Sequence, residues 1–140
     1  MRDLHNHIHP LRAISPVSVA DNTAQVSQII DRQGYESLTF VILTGSLADA
    51  DATFTALLEE SDDSGFSTSN AVADADLLGT EALASFQFDD DNETRKLGYI
   101  GNKRYVRLTI TPANNASAGL LAAVAVLGHP MVGPTINPPV

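Results

Sequence analysis

The chain begins MRDLHNHIHP, and three of its four histidines, His5, His7 and His9, stand at alternate positions there. In an extended segment alternate side chains point the same way. Three imidazoles on one face would supply half of a catalytic metal centre.

The neighbouring residues do not complete such a centre. Cupins, which bind metal inside a β-barrel, follow His-x-His with a Glu three or four residues on. Here His7-Ile8-His9 is followed by Pro10-Leu11-Arg12-Ala13, and the first Glu is Glu36. Amidohydrolases use a similar His-x-His but need a TIM barrel of about 250 residues. The fourth histidine, His129, is near the other end of the chain. The segment reads as a polar N-terminal arm that precedes the first strand. No metal and no cofactor are expected.

Other chemistry is equally thin. The acidic clusters at Ala48–Thr53, Glu59–Gly65, Ala73–Asp76 and Asp89–Glu93 lack the spacing of an EF-hand loop. There is no cysteine, no Gly-x-Ser-x-Gly elbow and no glycine-rich phosphate loop. No residue is assigned a catalytic role, and the chain is not expected to be an enzyme. Tyr99, Arg104, Tyr105 and Arg107 mix rings with cations, as a single-strand binder would. Within a chain of net charge −9 they read instead as a solvated sheet face or a patch for an acidic protein surface. The expected partners therefore include neither nucleic acid nor membrane.

The charges are unevenly placed. Thirteen of the 17 acidic residues lie between Asp49 and Glu93, a span without Lys or Arg, and five of the 8 basic residues lie between Arg95 and Arg107. From Leu108 onward there is no charged side chain. The tail GHPMVGPTINPPV holds four prolines and several apolar residues. Proline favours an extended, semi-rigid form, and a free solvated tail would normally carry charge. The tail therefore reads as an arm that lies on another subunit. Its Met131, Val132, Pro134, Ile136, Pro138 and Val140 are candidate partner-binding residues, with Arg104, Tyr105 and Arg107 on the basic strip.

The elements that must position these residues are strands. Apolar alternation of period two dominates. Segments at Ile14–Ala20, Thr23–Asp31, Ser37–Gly45, Ala52–Glu60, Ser85–Phe88, Thr94–Gly101, Lys103–Thr111 and Ala118–Gly128 make about eight strands. Ser37–Gly45 and Ala118–Gly128 read as apolar on both faces, hence buried. Gly101-Asn102 is a plausible hairpin turn between two of the strands. Ala73–Leu83, interrupted by Gly79, allows a helix of a turn or two at most. Phe40, Ile42, Phe54, Leu58, Val106, Leu108 and Ile110 are expected in the core. The fold expected is a single-domain all-β, jelly-roll-like sandwich (residues 14–128) between an N-terminal arm (1–13) and a proline-rich C-terminal arm (129–140). No apolar run near the start suggests a signal peptide, and no stretch is long enough for a membrane helix, so synthesis in a cytosol is expected.

The segments LLEESDD, ADLLGTEA, GNKRYVRLTITP and AVAVLGHP, in that order within Gly34–Pro130, resemble small structural proteins of tailed bacteriophages, and among them the capsid cement, or decoration, proteins. The resemblance implies a jelly-roll domain that binds the outside of a capsid shell and clamps neighbouring capsomers. It implies the major capsid protein as partner and a homo-oligomer, with a dimer favoured. It brings no catalytic residues. Rival readings are a head–tail joining protein, a receptor-binding module or a cupin-type metal enzyme.

Overall fold

The computed structural model describes residues 2–140. In chain order the elements are β1 (Ile8–Val19), β2 (Gln25–Val26), β3 (Ile30–Asp31), β4 (Tyr35–Leu47), β5 (Thr53–Ser61), β6 (Asn70–Ala71), β7 (Leu77–Leu78), α1 (Glu81–Ala84), β8 (Phe86–Gln87), β9 (Thr94–Tyr99), β10 (Tyr105–Ala113) and β11 (Gly119–Pro130). A 3-10 turn at His5–His7 precedes β1. Six strands are long and five have two residues.

Two antiparallel sheets face each other. One has the order β1-β11-β4-β9-β7. The other has the order β2-β10-β5-β6, with β3 also on β10 and β8 on β5. From β4 onward the long strands alternate between sheets, so each connection crosses the sandwich.

The alternation in sequence explains the core. β10 turns Val106, Leu108 and Ile110 inward, and β5 turns Phe54, Ala56 and Leu58 inward to meet Leu38, Phe40 and Ile42 of β4; none of these is more than 1% exposed. All seven residues expected in the core are there. Phe54 stacks on Phe86 with ring centroids 4.8 Å apart. The outward residues of β5 and β10 include Thr53, Thr55, Arg107 and Thr111, so the outer face of this sheet is polar. The helix expected within Ala73–Leu83 is four residues long, and the Thr80 hydroxyl caps it by accepting from the Leu83 amide at 3.0 Å.

Four expectations are corrected. First, the strand region takes in more of the N-terminus: β1 begins at Ile8, where Ile8 pairs with Gly128 and Arg12 with Val124. Residues 8–13 are thus sheet rather than arm, because β11 is long enough to pair them. Second, Gly101-Asn102 is not a hairpin turn. β9 pairs with β4, and β10 pairs with β5, so the segment between them passes from one sheet to the other. Arg32 holds that crossing by donating to the carbonyls of Lys103 (2.9 Å) and Gly101 (3.2 Å).

Third, β4 and β11 are buried on one face only. Leu38, Phe40 and Ile42 point inward, whereas Leu43, Leu120 and Val124 are 41–53% exposed. Among the described residues no further layer covers the five-stranded sheet. Fourth, residues 131–140 are not a free arm: hydrogen bonds tie the segment to its own domain, while its apolar side chains stay exposed. Thr135 donates its amide to the Asn6 carbonyl (3.0 Å) and its hydroxyl to the Ile8 carbonyl (2.6 Å). The tail's proline spacing leaves those donors free to meet the carbonyls at the edge of β1.

Candidate binding surface

The histidines do not converge. His5 and His7 lie in the 3-10 turn, so they lose the alternation that an extended chain would give. His7 Nδ1 lies 2.7 Å from the Asp3 carbonyl oxygen. His9 is in β1, buried, stacked on Tyr35 with centroids 5.5 Å apart, and its Nε2 lies 3.2 Å from the Val140 carbonyl oxygen. Among the described residues no three His, Cys, Asp or Glu side chains form a group able to hold a metal. His129 Nδ1 sits 2.9 Å from Ser37 Oγ, a nucleophile–base distance. Among the described residues no carboxylate hydrogen-bonds His129, so the pair lacks the third group that orients such a base. Sequence reading missed this pair because 92 positions separate its members.

The basic strip is occupied by the chain's own carboxylates. Arg104 grips Asp31 through two nitrogens, both at 2.9 Å, and its guanidinium lies 5.0 Å from the Tyr105 ring centroid. The Arg104 hydrogen bond holds the Asp31 carboxyl below the usual range. Arg107 pairs with Glu59 at 3.0 Å and covers the Phe66 ring at 4.4 Å. Lys103 pairs with Asp62 at 2.8 Å, and Arg95 pairs with Asp90 (3.1 Å) and Glu93 (2.5 Å). A phosphate would have to displace these partners against the field of an acidic molecule. Arg104, Tyr105 and Arg107 therefore form part of a self-neutralised sheet face.

The tail residues divide between backbone and side chain. Main-chain and Thr135 bonds tie the segment down, yet Met131, Val132, Ile136 and Val140 point outward, each 58–84% exposed. Pro139 and Ile136 line a small hollow with His5, Ile8 and Pro10.

Sequence reading also missed the surface that now stands out. Register pairs set the outer face of the five-stranded sheet in rows: Arg12, Val124, Val41 and Lys96; Pro10, Val126, Thr39 and Gly98; Ala122, Leu43 and Thr94. Its middle is aliphatic. The five strands hold one carboxylate, Glu36, near the start of β4. Arg12 and Lys96 flank the apolar centre, and neither forms an ion pair among the described residues.

At one end of this face lies an open cleft of about 340 Å³, lined by Pro16, Val17, Leu43, Gly45, Leu120 and Ala122. It lies where β1 breaks register with β11 between Ile14 and Val17, and where β11 breaks register with β4 between Gly119 and Leu121. Gly45 is required there, since a Cβ on it would lie 2.8 Å from the Leu120 Cβ. The two-sided apolar reading of β4 and β11 was the signal for this face, but the alternation cannot say whether a layer covers it.

No family model matches the chain, and no curated protein matches it. Among solved structures it is similar to the PBSX exported protein XepA, at 14% identity and a TM-score of 0.54 over 91% of this chain and 39% of that one. The likeness shows the fold: a β-sandwich. The chain spans well under half of that protein's length. It is also similar to the xylan-binding module CBM15, at 10% identity and a TM-score of 0.43 over 93% of this chain and 95% of that one. A third is the CBM22-1–GH10 part of the Clostridium thermocellum xylanase Xyn10B, at 11% identity and a TM-score of 0.46 over 95% and 28% of the two chains.

Proposed function

We propose that this chain is a structural protein of a tailed-phage virion, which binds the outer surface of the capsid and clamps neighbouring capsid subunits. Its partners are the major capsid protein and further copies of itself, and its place is the capsid exterior after synthesis in the bacterial host's cytoplasm. The finer likeness, to the cementing protein of a Bordetella phage, rests on the sequence segments alone.

One observation carries the reading: the molecule presents an exposed apolar surface and, apart from it, a set of acidic loops. One surface is the largely apolar face of the five-stranded sheet, flanked by Arg12 and Lys96, with the apolar tail. The other is a set of acidic loops. Five of the 17 carboxylates sit in ion pairs, leaving 12 that form none among the described residues. Such loops steer a protein onto basic patches and set its register, while apolar contacts hold it. Many copies with two contacts each bind firmly even if every contact is weak.

The test is particle stability with and without the protein, together with its copy number per particle. Shells lacking it are expected to assemble, then lose DNA at lower temperature or on dilution. Failure to assemble would make it a scaffold. Shells of equal robustness that fail only to infect would make it a tail or receptor-binding component.

A further inference from the structure

We propose that two copies of this chain join by exchanging tails, the apolar side chains of residues 131–140 of one copy entering the cleft beside Gly45 and Leu120 of the other. Donor and acceptor lie at opposite ends of β11. The tail leaves its C-terminal end and is bound there by Asn6 and Ile8, whereas the cleft is beside Leu120–Ala122 at its start. A strand of 12 residues is roughly 40 Å long. A tail docked at one end of β11 leaves its own cleft at the other end uncovered and its own apolar side chains exposed.

Charge selects the occupant. A molecule of net charge −9 repels its copies wherever unpaired carboxylates face each other. The tail has no charged side chain, and none of the residues lining the cleft is charged. This pair of surfaces lets two acidic chains meet without opposing their carboxylates. The chemistry also matches: Val132 and Ile136 are branched aliphatics with their side chains in water, and the cleft is walled by Pro16, Val17, Leu43 and Leu120. A pair with reversed strand directions places each tail beside the other's cleft, so the exchange is reciprocal and the product is a closed dimer. Three prolines, Pro134, Pro138 and Pro139, stiffen the segment, which lowers the ordering cost of docking.

The experiment is sedimentation of the full chain at tens of micromolar. One variant carries Val132→Asp and Ile136→Asp; another carries Leu43→Asp and Leu120→Asp; Val26→Asp, exposed on the other sheet, is the control. The wild type and control are expected to be dimers, and to associate more tightly as salt screens the −9 charges. Each double variant alone is expected to associate at least tenfold more weakly. Mixing the two is expected to restore a 1:1 dimer, because one tail and one cleft remain intact. A monomeric wild type, or a mixture that associates no better than its parts, would overturn the proposal. If the Asp variants do not fold, the absence of cysteine allows a second measurement. A copy with Ile136→Cys mixed with a copy with Leu43→Cys should form a disulfide-linked pair faster than Ile136→Cys mixed with Val26→Cys. Equal rates would refute the contact.

Discussion

The Tyr99 hydroxyl donates to the Glu60 carboxylate at 2.5 Å and thereby ties β9 of one sheet to β5 of the other. The same oxygen accepts the Lys103 amide at 3.0 Å, and the Arg32 guanidinium lies 4.9 Å from the ring centroid. This is the point at which the chain crosses between sheets. Gly101 must be glycine because a Cβ there would come within 2.4 Å of the Tyr99 hydroxyl.

Replacing Tyr99 with Phe is expected to destabilise the fold by about 1–3 kcal/mol, the cost of leaving buried polar groups unpaired. Burial, with the bond to Glu60 second, pushes the Tyr99 phenol above its ordinary value near 10. A group whose folded pKa is raised contributes stability below the unfolded value and loses it as pH rises. Wild-type stability should therefore fall above about pH 10. Denaturant melts of wild type and Tyr99→Phe across that range check this: the variant should show a smaller alkaline loss, the remainder coming from Lys103, which its bond to Asp62 also raises.

Acid should act through the ion pairs of the basic strip. Hydrogen bonds from Arg104 and Lys103 hold Asp31 and Asp62 below 3.8. Depressed carboxylates stabilise above the unfolded pKa, and that stability goes as pH falls through the folded values. Asp51, raised by its neighbour Asp49, runs the other way. The melting temperature should hold from pH 5 to neutrality and decline below pH 4, and Asp31→Asn with Asp62→Asn should flatten that decline.

Leu108 is fully buried, so Leu108→Ala should cost roughly 2–5 kcal/mol in a denaturant melt. Leu43→Ala, on the open outer face, should cost under about 1 kcal/mol, since that side chain is 53% exposed. Equal losses at both sites would mean that the outer face is covered in solution.

Asn115 pins the corner between β10 and β11. Its side-chain amide donates to the carbonyls of Val19 and Asp21, both at 3.0 Å, and its main-chain amide donates to Asn22 Oδ1 at 2.9 Å. Asn115→Ala leaves two carbonyls unpaired and should cost about 1–3 kcal/mol. Thermal melts with matched Asn115→Asp give the check, because Asp cannot donate as the amide does.

The core was legible because period two decides which residues turn inward: Ile110 is buried and its neighbour Thr111 is exposed for that reason. The strand at 118–128 was legible from its glycine bracket despite its alanines. Three things were not legible. Strand pairing across Gly101 was hidden because a glycine–asparagine step suits a hairpin and a crossing alike, and the deciding partner, Arg32, is some 70 positions away. The start of β1 was masked by its histidines and prolines, which look like arm chemistry until β11 supplies a ladder. For Leu43 and Val124, apolar composition suggested burial, whereas exposure depends on layers that one strand's sequence does not encode. The same limit applied to Arg104, whose partner Asp31 comes from a strand of two residues.

The borders of the two sheets have a consequence for crowding. Five of the six border strands, β2, β3, β6, β7 and β8, are two residues long. The sixth, β1, carries Pro10 and Pro16, slips register twice, and is shielded by the tail at its start and by Gln28, which donates its amide to the Ala13 carbonyl at 3.0 Å. A foreign strand finds no ladder to extend. Molecules packed at high local density can thus press their greasy faces and tails together without fusing into fibrils, and their contacts remain side-chain contacts that can part again.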